Sequence, residues 1–106
     1  MTDLPHFTTK DFAKSISKGN WVIDFWAGWC GPCKMLAPIF AESAEAAKNA
    51  KFGKVDIVSE RALAEQFEVM SIPTILFFKD GKLVDRIVGL VSKEEIVNKT
   101  SEVFGK

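Results

Sequence analysis

The sequence Trp29-Cys30-Gly31-Pro32-Cys33-Lys34 contains both cysteines of the chain and separates two segments of different hydrophobic pattern. Before it, residues 21–27 are almost continuously apolar, which is typical of a strand that is covered on both faces. After it, apolar residues from about position 33 to position 48 recur at helical spacing. The pattern therefore predicts a strand that leads directly into a helix, with the two thiols at the junction.

Two thiols separated by two residues have three chemical uses. They can form and reopen a disulfide, supply half of a metal site, or pack as small apolar side chains. The one histidine, His6, is distant in sequence, and a structural zinc ion needs four ligands, so a zinc site within one chain would be incomplete. Apolar packing does not require this spacing at a helix start. Redox chemistry is therefore the leading hypothesis.

Length and composition indicate one globular domain over residues 1–106. The chain is 47% hydrophobic and 26% charged, and its formal net charge is +0, which gives no electrostatic case for binding nucleic acid or an acidic membrane. No apolar run approaches the roughly 20 residues of a membrane span. Residues 1–5 lack a signal-peptide pattern, so we expect a cytoplasmic location. There, close cysteine pairs serve redox or metal chemistry more often than structural disulfides.

The N-terminal half contains a further helix and a candidate edge strand. Residues 7–17 are predicted to form a short helix, with Thr8 and Asp11 in the positions of a capping box. Residues 4–7 suit a short edge strand, since proline is tolerated there. Pro38 lies inside the helix predicted after the cysteines, where we expect a kink.

The C-terminal half alternates short apolar runs with turn residues. Its predicted elements are strands at 52–57, 75–78 and 83–88, a short helix capped by Ser59, a hairpin turn at Asp80-Gly81, and a last helix that opens with a capping box of Ser92 and Glu95. Helical crossovers predict parallel strands, and a hairpin requires antiparallel ones. The expected fold class is α/β, with a mixed sheet of four or five strands, parallel in its N-terminal part and antiparallel at its C-terminal hairpin, flanked by four helices.

The hexapeptide at 29–34 resembles the active-site sequence of the thioredoxin family. The resemblance continues in order and spacing through Asp24, Pro38, Lys54, Asp56, Ile72-Pro73-Thr74, Asp80-Gly81 and Gly89. Gly28 and Val58 depart from the family pattern, in which these positions more often carry other side chains. The resemblance implies the thioredoxin fold and a protein thiol–disulfide oxidoreductase that uses a redox-active Cys30/Cys33 pair. It also implies a monomer that needs no bound cofactor, acts on disulfide-bearing proteins and is recharged by a thioredoxin reductase.

The position of the thiols at a helix start suggests a role for each. The partial positive charge and free N–H groups of a helix N-terminus stabilise a thiolate, which is the nucleophilic form of cysteine. Cys30, expected to be the more exposed, is assigned the attack on a substrate disulfide. Cys33 is assigned the resolving attack on the resulting mixed disulfide. The dipeptide Gly31-Pro32 resembles that of reductant thioredoxins, which favours disulfide reduction.

Asp24 interrupts the apolar run before the hexapeptide. Burial disfavours an ionised carboxyl and raises its pKa, so Asp24 is a candidate acceptor for the Cys33 proton. Lys54, on the adjoining predicted strand, is a candidate for tuning Asp24. The alternative for both residues is an ordinary solvated position.

A substrate-binding surface is implied by the resemblance. Ile72-Pro73 resembles the cis-proline loop of the family, although an X–Pro bond taken alone is more often trans. The Ile72 backbone would then meet an extended substrate peptide. The expected apolar rim around the sulfur consists of Trp29, Gly31, Pro32, Ile72, Pro73 and Gly89. Two alternatives remain at this point: a binding module in which the cysteines are incidental, and a small metal-binding protein.

Overall fold

The computed structural model describes residues 3–105. Met1, Thr2 and Lys106, which the predicted domain over residues 1–106 includes, lie outside the described residues. The elements in chain order are α1 Phe12–Ser15, β1 Asn20–Trp26, α2 Gly31–Ala46, β2 Lys51–Asp56, α3 Arg61–Gln66, β3 Thr74–Lys79, β4 Lys82–Val88 and α4 Lys93–Phe104. No helix among these is long and apolar enough to cross a membrane.

The sheet has four strands in the order β2-β1-β3-β4. β1 and β2 are parallel, whereas β3 is antiparallel to both of its neighbours. Asp80 and Gly81 both have positive φ, 49° and 84°, in the tight turn between β3 and β4. The predicted mixed α/β sheet, its hairpin and the edge position of the return strand are therefore confirmed.

A helical connection between β2 and β3 predicted that the two strands would be parallel. In the structure, β3 instead runs antiparallel to β1. α3 has six residues and therefore rises about 9 Å. A six-residue strand such as β2 is about 20 Å long, so this helix does not carry the chain back to the other end of the sheet. The chain instead enters β3 at the end where β2 finishes, which brings the 69–73 loop to the end of β1 that precedes the cysteines.

The predicted edge strand at 4–7 is reduced to a single bridge. His6 pairs in parallel with Lys54, the Phe7 N–H donates to the Lys54 carbonyl over 2.9 Å, and Lys54 donates to the Pro5 carbonyl over 2.9 Å. Proline has no N–H and cannot extend the ladder. The prediction of a regular strand was therefore wrong.

Two helix starts differ from the prediction, and one is confirmed. Thr8 and Asp11 exchange the two capping-box hydrogen bonds, but regular helix begins only at Phe12. Ser59 does not cap α3, because its hydroxyl donates to the Asp56 carbonyl and Glu60 takes the N-cap position. The capping box predicted at the start of α4 is present, with the Glu95 N–H donating to Ser92 Oγ over 3.1 Å.

Each face of the sheet carries its own apolar core. On one face the buried cluster includes Phe12, Phe25 and Phe78, and on the other it includes Phe40 and Phe77. The two central strands, β1 and β3, are buried on both sides, as their continuous apolar runs predicted. A third, smaller cluster lies around the cysteines.

Candidate active site

The cysteines lie where β1 gives way to α2. Cys30 is the N-cap of α2, with extended backbone at φ −91° and ψ 113°, and proline follows in the first helical turn. Proline suits this position because its φ is already helical and its missing N–H would have no helical partner. Cys30 and Cys33 form a disulfide that closes across this turn. The spacing of the pair and its place at a helix start are as predicted.

The first turn of α2 directs an N–H group at the sulfur of Cys30. The Cys33 N–H donates to Cys30 Sγ over 3.2 Å. This donor and the positive end of the helix dipole both favour negative charge on that sulfur. Cys30 was expected to be the more exposed of the two cysteines, but the difference is small: Cys30 is 5% exposed and Cys33 is 3% exposed. Both are covered because Ala27, Trp26, Ile57 and Ile72 pack around them.

The loop before β3 lies against the disulfide. The Ile72–Pro73 peptide bond is cis, and the Ile72 carbonyl oxygen lies 3.9 Å from Cys30 Sγ. The Gly89 N–H, at the end of β4, donates to the Pro73 carbonyl over 2.8 Å. Gly89 has φ +101°, a conformation that side chains disfavour. Of the expected rim, Ile72 therefore lies next to Cys30, and Pro73 and Gly89 are joined to each other directly after it.

The rest of the expected rim is exposed around the pair. The side chain of Trp29 is 72% exposed, and Gly31 and Pro32 are exposed as well. A Cβ at the neighbouring Gly28 would meet no atom within 4 Å, so packing does not require glycine there.

Trp29 also borders a groove of about 450 Å³ that the sequence did not indicate. The groove is lined by Trp29, Ile57, Val58, Arg61, Ala64, Glu65 and Val69. Val58, noted only as a departure from the family pattern, is 63% exposed here. Val58, an apolar residue two positions after the end of β2, is the one sequence signal that could have indicated this surface.

Asp24 lies inside the sheet and is fully buried. Neither of its carboxyl oxygens has a hydrogen-bond partner in the described part of the chain. Burial raises the pKa of Asp24 from 3.8 to about 7, and the positive charge of Lys54 opposes part of that rise. The alternative of a solvated aspartate at this position is therefore wrong, because the carboxyl is buried and its pKa is raised to near neutrality.

Lys54 lies opposite Asp24 in the parallel register of β1 and β2. Its ammonium group lies over the Trp26 ring, with Nζ 5.1 Å from the ring centroid. Trp26 Nε1 is buried and has no hydrogen-bond partner among residues 3–105. Within the same residues, no three His, Cys, Asp or Glu side chains lie close enough together to hold a metal ion.

Comparison with known proteins identifies relatives over most of the chain. A sequence model of the family described as Thioredoxin matches residues 3–102. A thioredoxin of Mycoplasmoides gallisepticum is 47% identical over 95 residues, which cover 88% of this chain and 95% of that protein. A thioredoxin of Staphylococcus aureus is 44% identical over 90 residues, covering 84% and 86% respectively.

A solved structure also resembles this fold over most of the chain. The oxidised form of mitochondrial thioredoxin 3 from Saccharomyces cerevisiae has a TM-score of 0.86 and 31% sequence identity. The match covers 93% of this chain and 94% of that chain.

Proposed function

This chain belongs to the thioredoxin family, and we propose that it reduces the disulfides of protein substrates through Cys30 and Cys33. A thioredoxin is a protein thiol–disulfide oxidoreductase, so the reaction class follows from the family. The direction of the reaction and the role of each residue are the proposal. The observation that carries it is the Cys30–Cys33 disulfide at the start of α2, with the Cys33 N–H directed at Cys30 Sγ.

In the first step, the thiolate of Cys30 attacks one sulfur of the substrate disulfide. A bond forms between Cys30 Sγ and that sulfur, and the other substrate sulfur leaves as a thiolate that is protonated by solvent. The N-cap position and the 3.2 Å hydrogen bond from Cys33 N–H support Cys30 as nucleophile, because both stabilise its anionic form.

In the second step, Cys33 attacks Cys30 Sγ in the mixed disulfide. The Cys33 thiol gives its proton to Asp24, the bond between Cys30 and the substrate breaks, and the second substrate sulfur leaves as a thiolate. Two electrons have then passed from the cysteine pair to the substrate, and the Cys30–Cys33 bond has formed. Asp24 suits the role of acceptor because its carboxyl is unpartnered and its pKa is raised to about 7.

Lys54 adjusts this acceptor without touching it. Its positive charge lowers the pKa of Asp24 against the larger effect of burial. Both protonation states of Asp24 are then populated near neutral pH, which is the condition for accepting and returning a proton in one cycle.

The substrate is bound, in this proposal, as an extended segment over the pair. The Ile72 carbonyl, 3.9 Å from Cys30 Sγ, offers a hydrogen-bond acceptor to the substrate backbone. Pro73 and Gly89 hold that loop edge, and Trp29, Gly31 and Pro32 supply exposed surface on the other side. The proposal needs no bound cofactor.

A thioredoxin reductase recharges the protein by reducing the Cys30–Cys33 disulfide. We further propose that the protein acts as a monomer in the cytoplasm, since a compartment that keeps thiols reduced suits a disulfide reductant.

The test is a trapping experiment with serine variants. Cys33→Ser should accumulate a mixed disulfide between Cys30 and insulin, detected by non-reducing electrophoresis and mass spectrometry. Cys30→Ser should form no such adduct and should lose insulin reduction, and the variant with both changes is the control for background oxidation. A Cys33→Ser protein that traps nothing, together with a Cys30→Ser protein that still reduces insulin, would overturn the proposal.

A further inference from the structure

We propose that Arg86 is a positioning residue that holds the 69–73 loop, and with it the Ile72 carbonyl, at the correct place beside Cys30. The inference rests on the proposed function, in which that loop binds the substrate segment. Arg86 lies on the edge strand β4, outside the family motif and outside the groove described above.

The turn that ends α3 contains a non-glycine residue with a left-handed backbone conformation. The Val69 N–H donates to the Ala64 carbonyl over 2.8 Å and the Glu68 N–H to the Glu65 carbonyl over 3.2 Å, which is the Schellman arrangement at a helix end. This arrangement places a left-handed residue just after the helix, and glycine normally occupies it. Here it is Glu68, with φ +55°, so the turn carries backbone strain that glycine would avoid.

Arg86 binds this strained turn with its guanidinium group. Arg86 Nη2 donates to the Phe67 carbonyl over 2.9 Å, and Nη1 donates to the Glu68 carbonyl over 3.4 Å. Both oxygens lie at the negative end of α3, where a cation is stabilising. The two forked donors match two neighbouring carbonyl groups, a geometry that a lysine ammonium does not reproduce.

The loop that follows is short and is fixed to β4 at its other end as well. Only Val69, Met70 and Ser71 separate Glu68 from Ile72, and Met70 is 93% exposed. At the far end, the Gly89 N–H holds the Pro73 carbonyl over 2.8 Å.

β4 and the residue directly after it therefore hold the loop at its two ends, through the side chain of Arg86 and the backbone of Gly89. Removing the Arg86 contact frees the end that joins α3. Because substrate attack depends on geometry at the level of an ångström, a small displacement of the Ile72 carbonyl should slow reaction with protein disulfides.

The test compares a large and a small disulfide in single-turnover reactions. Reduced Arg86→Ala is mixed with insulin or with 5,5′-dithiobis(2-nitrobenzoic acid), and the second-order rate constants are compared with those of the parent. We expect about a tenfold loss with insulin, and a change of less than about twofold with the small disulfide, which needs no loop contact. Lys99→Ala is the control, because it removes a β4 ion pair, with Asp85, away from the loop.

A rescue variant separates positioning from general destabilisation. Glu68→Gly places the preferred residue at the left-handed position, so the loop no longer depends on Arg86. Adding it to Arg86→Ala should restore most of the insulin rate. If Arg86→Ala does not fold, Arg86→Gln, which retains a single amide donor group, takes its place.

Three outcomes overturn the inference: unchanged insulin rates in the Arg86 variant, equal losses with both disulfides, or no rescue by Glu68→Gly. Failure of the proposed function looks different. In that case the parent protein itself shows no Cys30-dependent insulin reduction, whatever residue stands at position 86.

Discussion

Asp24 and Lys54 lie opposite each other in the parallel pair of β1 and β2, yet their charged groups do not pair. The carboxyl is buried without a hydrogen-bond partner, and the ammonium group lies over the ring of Trp26. The two charges therefore act on each other through space. Burial raises the pKa of Asp24, and the charge of Lys54 lowers it by a smaller amount. The resulting pKa is about 7.

Lys54→Met should raise the pKa of Asp24 above its present value of about 7, because the change removes the positive charge that opposes burial. The measurement is an NMR titration of the Asp24 side-chain carboxyl carbon. Lys51→Met is the matched control, since Lys51 lies on the same strand but packs over Trp21 instead. An unchanged or lowered Asp24 pKa in Lys54→Met would remove the electrostatic role assigned to Lys54.

The contribution of Asp24 to the stability of the protein should fall as pH rises from about 4 to about 7. Over this interval an unfolded chain releases the Asp24 proton near its ordinary pKa of 3.8, while the folded protein keeps it until about 7. At this site the unfolded state therefore binds fewer protons, and the part of the free energy of unfolding that Asp24 contributes decreases with pH. The difference in pKa corresponds to about 4 kcal/mol when integrated over the interval.

Asp24→Asn should remove most of this pH dependence, because asparagine does not ionise. The measurement is denaturant unfolding at pH 4 and pH 8. The variant should gain stability over the parent at pH 8, whereas its gain at pH 4 should be much smaller. Asp3→Asn is the control at an exposed aspartate. Parallel pH profiles for the parent and Asp24→Asn would contradict the raised pKa.

Asp24→Asn should also slow the resolving step. In the parent, the rate at which Cys33 displaces the bound substrate should rise as pH passes about 7 and Asp24 becomes an acceptor. The variant should lose that rise and react about tenfold more slowly or worse at pH 8, since general-base catalysis is typically worth at least this much. Rapid-quench measurement of the mixed disulfide with insulin follows the step directly. An unchanged rate of mixed-disulfide decay would exclude Asp24 as the acceptor.

The local features of the site were predictable from sequence because each depends on a few neighbouring residues. Proline after Cys30 and the apolar run before it specify a helix start at the end of a buried strand, and Asp24 in that run indicated a buried carboxyl. The direction of β3 was not predictable from its helical crossover, since it depends on the length of α3 relative to the strands. The contacts of Arg86 gave no sequence signal, because they join residues that are 18 and 19 positions apart.

Gly53→Ala should destabilise the protein through a single contact. A Cβ at Gly53 would lie 2.5 Å from Cε2 of the Phe7 ring, which is itself packed edge-on against Trp21 at a centroid distance of 5.3 Å. The ring has little freedom to move, so we expect a loss of about 1–3 kcal/mol in the free energy of unfolding, the usual cost of overpacking. Gly28→Ala, where a Cβ meets no atom within 4 Å, should change stability little. Combining Gly53→Ala with Phe7→Leu should cost less than the sum of the two single changes, because a smaller side chain makes room for the methyl group. Strictly additive losses in this double-mutant cycle would show that the Phe7 ring is not what opposes a side chain at position 53.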